Sequence, residues 1–236
     1  MPVSRFAHLI AAPRRSVIPP GDDVHIWTVR HDDARSSDED ADVLSDAEMA
    51  RFNRFRNVRQ RVRRIHARAA LRHILSSYLG TNPARIVIDT GVHGKPSVAG
   101  VEFNCSHAPS VTIVAVAAQP VGVDIEPIGS CDGIDAFRHR FINDHDIAAM
   151  PPSRGSLDML RVWVIKEACL KAIGTGLAID PRELSVGPPS RTGVGVRLGT
   201  DALVARWLEI PGGHVAVVAG RALTPVVVHD EAHTDS

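Results

Sequence analysis

The chain reads as an α+β protein, and three observations predict it. Two stretches, 45–79 and 157–173, carry helical signals; the runs around them are short, apolar and rich in β-branched residues; and the order strand, helix, strands occurs twice instead of alternating strictly. No repeat is visible at the level of identity.

Val24-His25-Ile26-Trp27-Thr28-Val29 forms the first predicted strand, and an acidic, serine-bearing loop follows from His31 to Asp42. Ser45-Asp46-Ala47-Glu48 then has the S-x-x-E form of a capping box. Phe52, Phe55, Val62, Ile65, Ala69 and Leu75 recur near helical spacing, and Gly80 with Pro83 supplies the stop, so one helix or a pair of helices spans 45–79. Its other faces carry Arg51, Arg54, Arg56, Arg59, Arg61, Arg63, Arg64, Arg68 and Arg72, either as a solvated surface or as phosphate contacts. After Ile86-Val87-Ile88-Asp89 comes a turn at His93-Gly94-Lys95-Pro96, then strands around 102–104 and 111–116, the second apolar enough to be buried on both faces. A further strand runs through 119–127. A short helix near 134–141, a polar bend and the helix over 157–173 follow, the last ended by Gly174-Thr175-Gly176. Strands at 203–207, 215–218 and 226–228 complete the fold, with a polar, fraying tail from His229 to Ser236.

At 236 residues the chain has the length of one substantial domain or two small ones. Lysine plus arginine (27) equals aspartate plus glutamate (27), so no global field draws in nucleic acid or an anionic membrane, and any basic site is local. Cys105, Cys131 and Cys169 lack metal-ligand spacing and cannot all pair, which suits a reducing, cytoplasmic setting. The apolar run within residues 1–13 is too short for a signal peptide, and nothing later approaches a membrane span. The histidines include no HExxH pair.

The chemistry concentrates in acids. Asp124 and Glu126 stand two positions apart on an otherwise apolar strand, so both point to one side. Glu167, on the second helix, brings a third carboxylate beside Lys171, one turn on. Three carboxylates converging next to a phosphate-binding lysine make a magnesium site, because magnesium takes oxygen ligands and shares them with waters and a substrate phosphate. Each acid taken singly reads better as a strand end or, for Glu167, an i,i+4 pair with Lys171 worth a few tenths of a kcal/mol; the combination favours the metal site.

Gly94-Lys95-Pro96, Phe103-Asn104-Cys105-Ser106-His107, Gly122-Val123-Asp124-Ile125-Glu126 and Trp163-Val164-Ile165-Lys166-Glu167-Ala168-Cys169-Leu170-Lys171, followed by Gly174-Thr175-Gly176-Leu177, resemble in order and separation the 4′-phosphopantetheinyl transferases. The similarity is to their larger, monomeric, surfactin-synthetase-activating class, which modifies carrier domains of polyketide and nonribosomal peptide synthetases, siderophore pathways among them. The resemblance implies a pseudo-dimer of two similar α+β halves, residues 1–121 and 122–228, with the active site at their interface and a flexible tail over 229–236. It implies transfer of 4′-phosphopantetheine from coenzyme A to a serine of an apo acyl or peptidyl carrier protein, with release of 3′,5′-adenosine bisphosphate. By the same resemblance Asp124, Glu126 and Glu167 hold Mg2+, Lys171 reaches the pyrophosphate, and Lys95, Pro96, Ser106 and His107 take the 3′-phosphate and adenine end, with Arg51 and Arg64 near contact positions on the arginine-rich helix. Two departures stand out. Gln60 replaces a common aspartate, and Asp146, in Arg140-Phe141-Ile142-Asn143-Asp144-His145-Asp146, replaces a glutamate implicated as metal neighbour or general base. Asp146 thus reads as a base, as a metal neighbour or as a helix cap before Ile147.

Two other functions fit parts of the chain. A hydrolase built on Cys105 or Ser106 with His107 lacks a GxSxG elbow, and neighbouring strand residues point to opposite faces. A nucleic-acid-binding module on the arginine helix is disfavoured by zero net charge and sparse aromatics.

Overall fold

The computed structural model describes residues 17–31, 38–191, 193–223 and 226–230. The expectations for the N-terminal run, for loop residues 32–37 and for the tail beyond 230 fall outside these residues, while His229 and Asp230, expected in the flexible tail, instead end a strand paired with the first one, which corrects that reading.

Strand β1 (Val24–Arg30) lies where its β-branched run predicts. The acidic stretch after it ends in a short helix, α1 (Asp38–Asp42), which corrects the reading of that stretch as loop; Asp40 is buried, 3.4 Å from His66 Nδ1. Helix α2 (Asp46–Phe52) starts at Ser45 with both halves of the predicted capping box: Glu48 N donates to Ser45 Oγ and Ser45 N to Glu48 Oε2. The helical stretch is indeed a pair. It breaks after Phe52 and resumes, N-capped by Asn57, as α3 (Val58–Leu79), which stops at Gly80 in the left-handed region, φ 64°.

The hairpin of β2 (Asp89–Thr90) and β3 (Pro96–Ser97) turns at Gly94 and leads to β4 (Glu102–His107) and β5 (Val111–Ala117), in which every residue is buried. Strand β6 (Val121–Pro127) follows, then α4 (Ile134–Phe137). The polar bend holds an unpredicted helix, α5 (Asp144–Ala149), too short to carry an apolar period but closed by a capping box between Asn143 and Asp146. Helix α6 (Ser156–Ile173) ends at Gly174, φ 88°. Strands β7 (Leu184–Pro189) and β8 (Val194–Leu198) escaped prediction, being short and interrupted by glycine and proline. The last three strands, β9 (Asp201–Leu208), β10 (His214–Gly220) and β11 (Val226–Asp230), enclose the predicted apolar runs.

The strands form a four-stranded sheet, β11-β1-β5-β4, and a five-stranded sheet, β6-β10-β9-β8-β7. In each, the strand before the long helix pairs antiparallel with the last strand of the meander after it, β1 with β5 and β6 with β10. Strand β11 returns to the first sheet and runs parallel to β1.

Three apolar clusters hold these layers. One lies between α3 and the first sheet and one between α6 and the second; the third joins the two sheets through Val24, Ile26, Ile113 and Ala115 on one side and Val121, Val123, Ile125 and Val218 on the other. Each such aliphatic side chain contributes roughly 1.5–3 kcal/mol when buried. That pins the register of β6, since a slip of one residue would turn Asp124 and Glu126 into the inter-sheet core. Among the described residues no helix is long and apolar enough to cross a membrane.

Candidate active site

Strand alternation sorts β6 into two faces. Val121, Val123 and Ile125 face the inter-sheet core, leaving Gly122, Asp124 and Glu126 on the face that receives α6. Gly122 sets how close that helix comes: a methyl group there would lie 2.0 Å from the Ala168 carbonyl oxygen and 2.4 Å from the Ala172 nitrogen. The glycine therefore brings the segment of α6 that carries Glu167 and Lys171 directly onto the acids of β6. Gly122→Ala is expected to force the two elements apart, costing at least ~1–3 kcal/mol of stability. A thermal melt showing the wild-type midpoint would contradict this close contact.

Asp124 is buried at 4 % exposure. Its Oδ1 accepts from Lys171 Nζ at 2.6 Å and from Ser106 Oγ at 2.9 Å, while Lys171 also lies 3.3 Å from Ser106 Oγ. Lys171 thus bonds to Asp124 across the two elements, and the simple i,i+4 pair with Glu167 is not what it forms. Burial raises the carboxyl pKa of Glu126, with Asp124 and Lys171 acting in opposite directions on it. Burial likewise raises Glu167, which Lys171 lowers and which Asp124 and Glu126 raise further. Three acids therefore share one electrostatic neighbourhood.

Their chemistry fits a hard divalent cation. Asp124 Oδ2 is buried without a hydrogen-bond partner, and the neighbouring donors are carboxylate oxygens. Among the described residues, though, no three His, Cys, Asp or Glu side chains already stand together as a ligand cage. Lys171 pairs with Asp124, and the charges of Asp124 and Glu126 both act on Glu167.

Strand β4 borders this site with both its faces. Ser106 turns to Asp124, and Asn104 Oδ1 accepts from Val123 N at 2.9 Å, tying β4 to β6 across the two sheets. His107 points the other way, towards α3. Its Nδ1 is 2.7 Å from Thr112 Oγ1 and its Nε2 3.9 Å from Cys105 Sγ, so the opposite-face argument against a hydrolase holds for Ser106 and not for Cys105, whose thiol pKa is pushed up by burial, away from the reactive thiolate. Burial of the ring, then the charges of Arg64, Lys171 and Arg68, push its pKa down to about 4, so it is neutral rather than the cation expected of a phosphate partner. The residue as a whole remains exposed.

Of the helix arginines, Arg64 acts on His107 and Cys105, whereas no contact brings the exposed Arg51 to them among the described residues. Arg68 was not singled out from the sequence; its place one turn after Arg64 is the signal that marks it. Arg68 and Arg72 both bind Glu48, and Arg72 also donates to the Pro83 and Ile86 carbonyls, which gives these two arginines of the basic face structural partners. Lys95 reaches from the β2–β3 hairpin to the Val121 and Ala172 carbonyl oxygens, 3.4 Å from each, and no bond joins it to Ser106 or His107 among the described residues. Burial lowers its pKa, partly offset by Glu102. Pro96 pairs with Thr90 in the same hairpin.

Asp146 lies apart from this group. Its side chain is 0 % exposed and bonded on both oxygens: Oδ1 accepts from Val186 N at 2.8 Å, and Oδ2 accepts from Asn143 N at 2.9 Å and from Lys166 Nζ. Lys166, also 0 % exposed, donates to the Phe141 carbonyl at 2.6 Å. A base for a hydroxyl on another protein must be reachable, and this carboxylate is not, so the readings of Asp146 as base or metal neighbour give way to a buried ion pair and helix cap.

Beside Glu126 opens a groove of about 350 Å³ whose lining is mainly apolar, with Ile134, Phe137, Phe141, Leu160 and Trp163. Glu126, Asp132 and Arg140 add charged groups to that lining.

Comparison with known proteins gives a consistent result. Residues 120–219, which hold β6, α6 and most of the second sheet, match the family described as the 4′-phosphopantetheinyl transferase superfamily. The chain is 32 % identical over 179 residues to 4′-phosphopantetheinyl transferase HetI of Nostoc sp., covering 71 % of this chain and 76 % of that protein. It is 30 % identical over 133 residues to 4′-phosphopantetheinyl transferase psf-1 of Bacillus pumilus, covering 55 % of this chain and 57 % of that one. A holo-[acyl-carrier-protein] synthase of Nitratidesulfovibrio vulgaris is 31 % identical over 97 residues, 40 % of this chain and 78 % of the other.

Proposed function

The chain belongs to the 4′-phosphopantetheinyl transferase superfamily, and we propose that it moves the 4′-phosphopantetheine of coenzyme A onto a serine of an apo acyl or peptidyl carrier protein in the cytoplasm, as a monomer with no nucleic-acid or membrane partner. The observation that carries this reading is the packing of α6 on Gly122, which sets Glu167 and Lys171 against Asp124 and Glu126. The two halves, 1–121 and 122–228, act as a pseudo-dimer with this site at their join, bridged by the Ser106–Asp124 and Lys171–Ser106 contacts, with β11 of the second half crossing back to the first sheet.

In the reaction the serine hydroxyl attacks the β-phosphorus of coenzyme A. A new O–P bond forms, the bond to 3′,5′-adenosine bisphosphate breaks, and the hydroxyl proton leaves to a base. Asp124, Glu126 and Glu167 would hold Mg2+, which when bound screens the pyrophosphate charge. Lys171, released from Asp124 as the pyrophosphate arrives, pairs with a phosphate oxygen. Glu167, one turn from Lys171, accepts the proton. Ser106, His107, Arg64 and Lys95 with Pro96 form the wall for the 3′-phosphate and adenine end. The apolar groove beside Glu126 takes the uncharged pantetheine arm.

The test is to incubate the protein with coenzyme A and a panel of apo carrier proteins, with and without a chelator, and weigh the carriers intact. A gain of the phosphopantetheine mass on serine, abolished by chelation, is expected; no gain on any carrier, or an undiminished rate with chelator, rejects the reading. Lys95 offers a narrower check. Lys95→Ala is expected to weaken coenzyme A roughly tenfold through a lost charge-assisted bond while barely changing 3′-dephospho-coenzyme A. Equal losses for both ligands would assign Lys95 to the carbonyls it touches here and not to the phosphate.

A further inference from the structure

Thr112 is the one polar residue of β5, set among Val111, Ile113, Val114, Ala115, Val116 and Ala117, and it is 1 % exposed. Strand register places it opposite His107 of β4 and Val29 of β1. Its hydroxyl meets two imidazoles: His107 Nδ1 at 2.7 Å and the buried His31 Nε2 at 2.8 Å. The His31 ring packs edge-on against His66, with centroids 5.5 Å apart, and His66 in turn meets Asp40. A buried polar chain therefore leads from the interior of the first half to the rim of the candidate site.

A threonine hydroxyl has one proton to give and lone pairs to receive. When His31 Nε2–H donates to Thr112 Oγ1, the hydroxyl proton is free to point at His107 Nδ1. A neutral His107 then carries its own proton on Nε2, the nitrogen turned away from the buried hydroxyl, which has Cys105 Sγ 3.9 Å away and belongs to a residue that is exposed as a whole. We propose that Thr112, aligned by His31, is a positioning residue that locks His107 as the Nε2–H tautomer and thereby makes it a neutral hydrogen-bond donor to the phosphate of coenzyme A. This rests on the reading above that His107 faces the 3′-phosphate. It also explains how a histidine among Arg64, Arg68 and Lys171 can serve an anion: the arginines and lysine supply the charge, and the imidazole supplies direction. The stiffness of a β-branched side chain at χ1 suits Thr112 to that task.

The experiment has two arms. Long-range 1H–15N NMR of the histidine rings in the wild-type protein, without ligand, is expected to show His107 protonated on Nε2 and bare on Nδ1 near neutral pH. Kinetics of Thr112→Val, which keeps shape and removes the hydroxyl, should show KM for coenzyme A raised about tenfold with kcat within about twofold, KM for 3′-dephospho-coenzyme A unchanged, and Thr112→Ser restoring the first value. A His107 proton on Nδ1, an unchanged KM in Thr112→Val, or a loss equal for both ligands would overturn the proposal. Should wild-type protein fail to distinguish the two ligands at all, the phosphate reading falls, while the same NMR on Thr112→Val still tests the tautomer: loss of the Nε2–H form is expected, and an unchanged His107 overturns the positioning role.

Discussion

Glu167→Gln is expected to lower the transfer rate by about 10²–10³-fold, the size of effect that follows loss of one group placed to stabilise charge in a transition state. The same change should stabilise the metal-free protein at neutral pH. The folded-state pKa of Glu167 is raised above its ordinary value, so between the ordinary and the raised value the folded chain binds more protons than the unfolded one, and stability falls as pH rises through that window. Above it the penalty is complete, and the amide removes it. Addition of Mg2+ should raise the melting temperature of the wild type and leave that of Glu167→Gln nearly unmoved. Thermal melts with chelator and with Mg2+ across pH, alongside carrier-modification rates, test both halves. A variant that keeps near-normal turnover at limiting Mg2+, or that melts below the wild type in chelator, would make Glu167 a structural acid.

The second large effect is on folding. Asp146→Ala leaves Lys166 charged and without its carboxylate at a position with no solvent exposure, and breaking one partner of such a pair costs about 3–5 kcal/mol, or roughly 6–20 °C in melting temperature for a chain of this size. The loss also frees Val186 N and opens the cap of α5. Replacing both charges, as in Asp146→Leu with Lys166→Met, should recover much of the stability, because two buried charges then need no water. Asp146→Asn separates structure from chemistry: it keeps the shape of the cap, so its folded fraction should turn over with the wild-type kcat. A fall in kcat with an unchanged melting temperature would return Asp146 to the role of base.

The location of the acids was legible in the sequence because strand alternation is a local rule. Asp124 and Glu126 two apart among Val123 and Ile125 can face only one way once the valines are buried, and Glu167 and Lys171 share a helix face by spacing alone. The capping box at Ser45 and the glycine stops at Gly80 and Gly174 were legible for the same reason, each being decided within one turn of chain. Helix α5 and strands β7 and β8 were not, since elements of five or six residues carry too few periods to stand out, and contacts made far along the chain stabilise them.

What the sequence by itself determined, then, is an α+β chain, two long helices, and a family-like set of acids and lysines with a local geometry. Partnership between distant residues was decided by the tertiary structure. Lys171 bonds to Asp124 and not to the Glu167 one turn away, because Gly122 lets the backbone of α6 come within reach of β6. Asp146 becomes a buried counter-ion because α5 folds over Lys166. His107 is neutral because the fold buries its ring and then sets Arg64, Lys171 and Arg68 around it. Charge state and hydrogen-bond partner depend on which groups displace water around a side chain, and those groups come from segments that are remote in sequence.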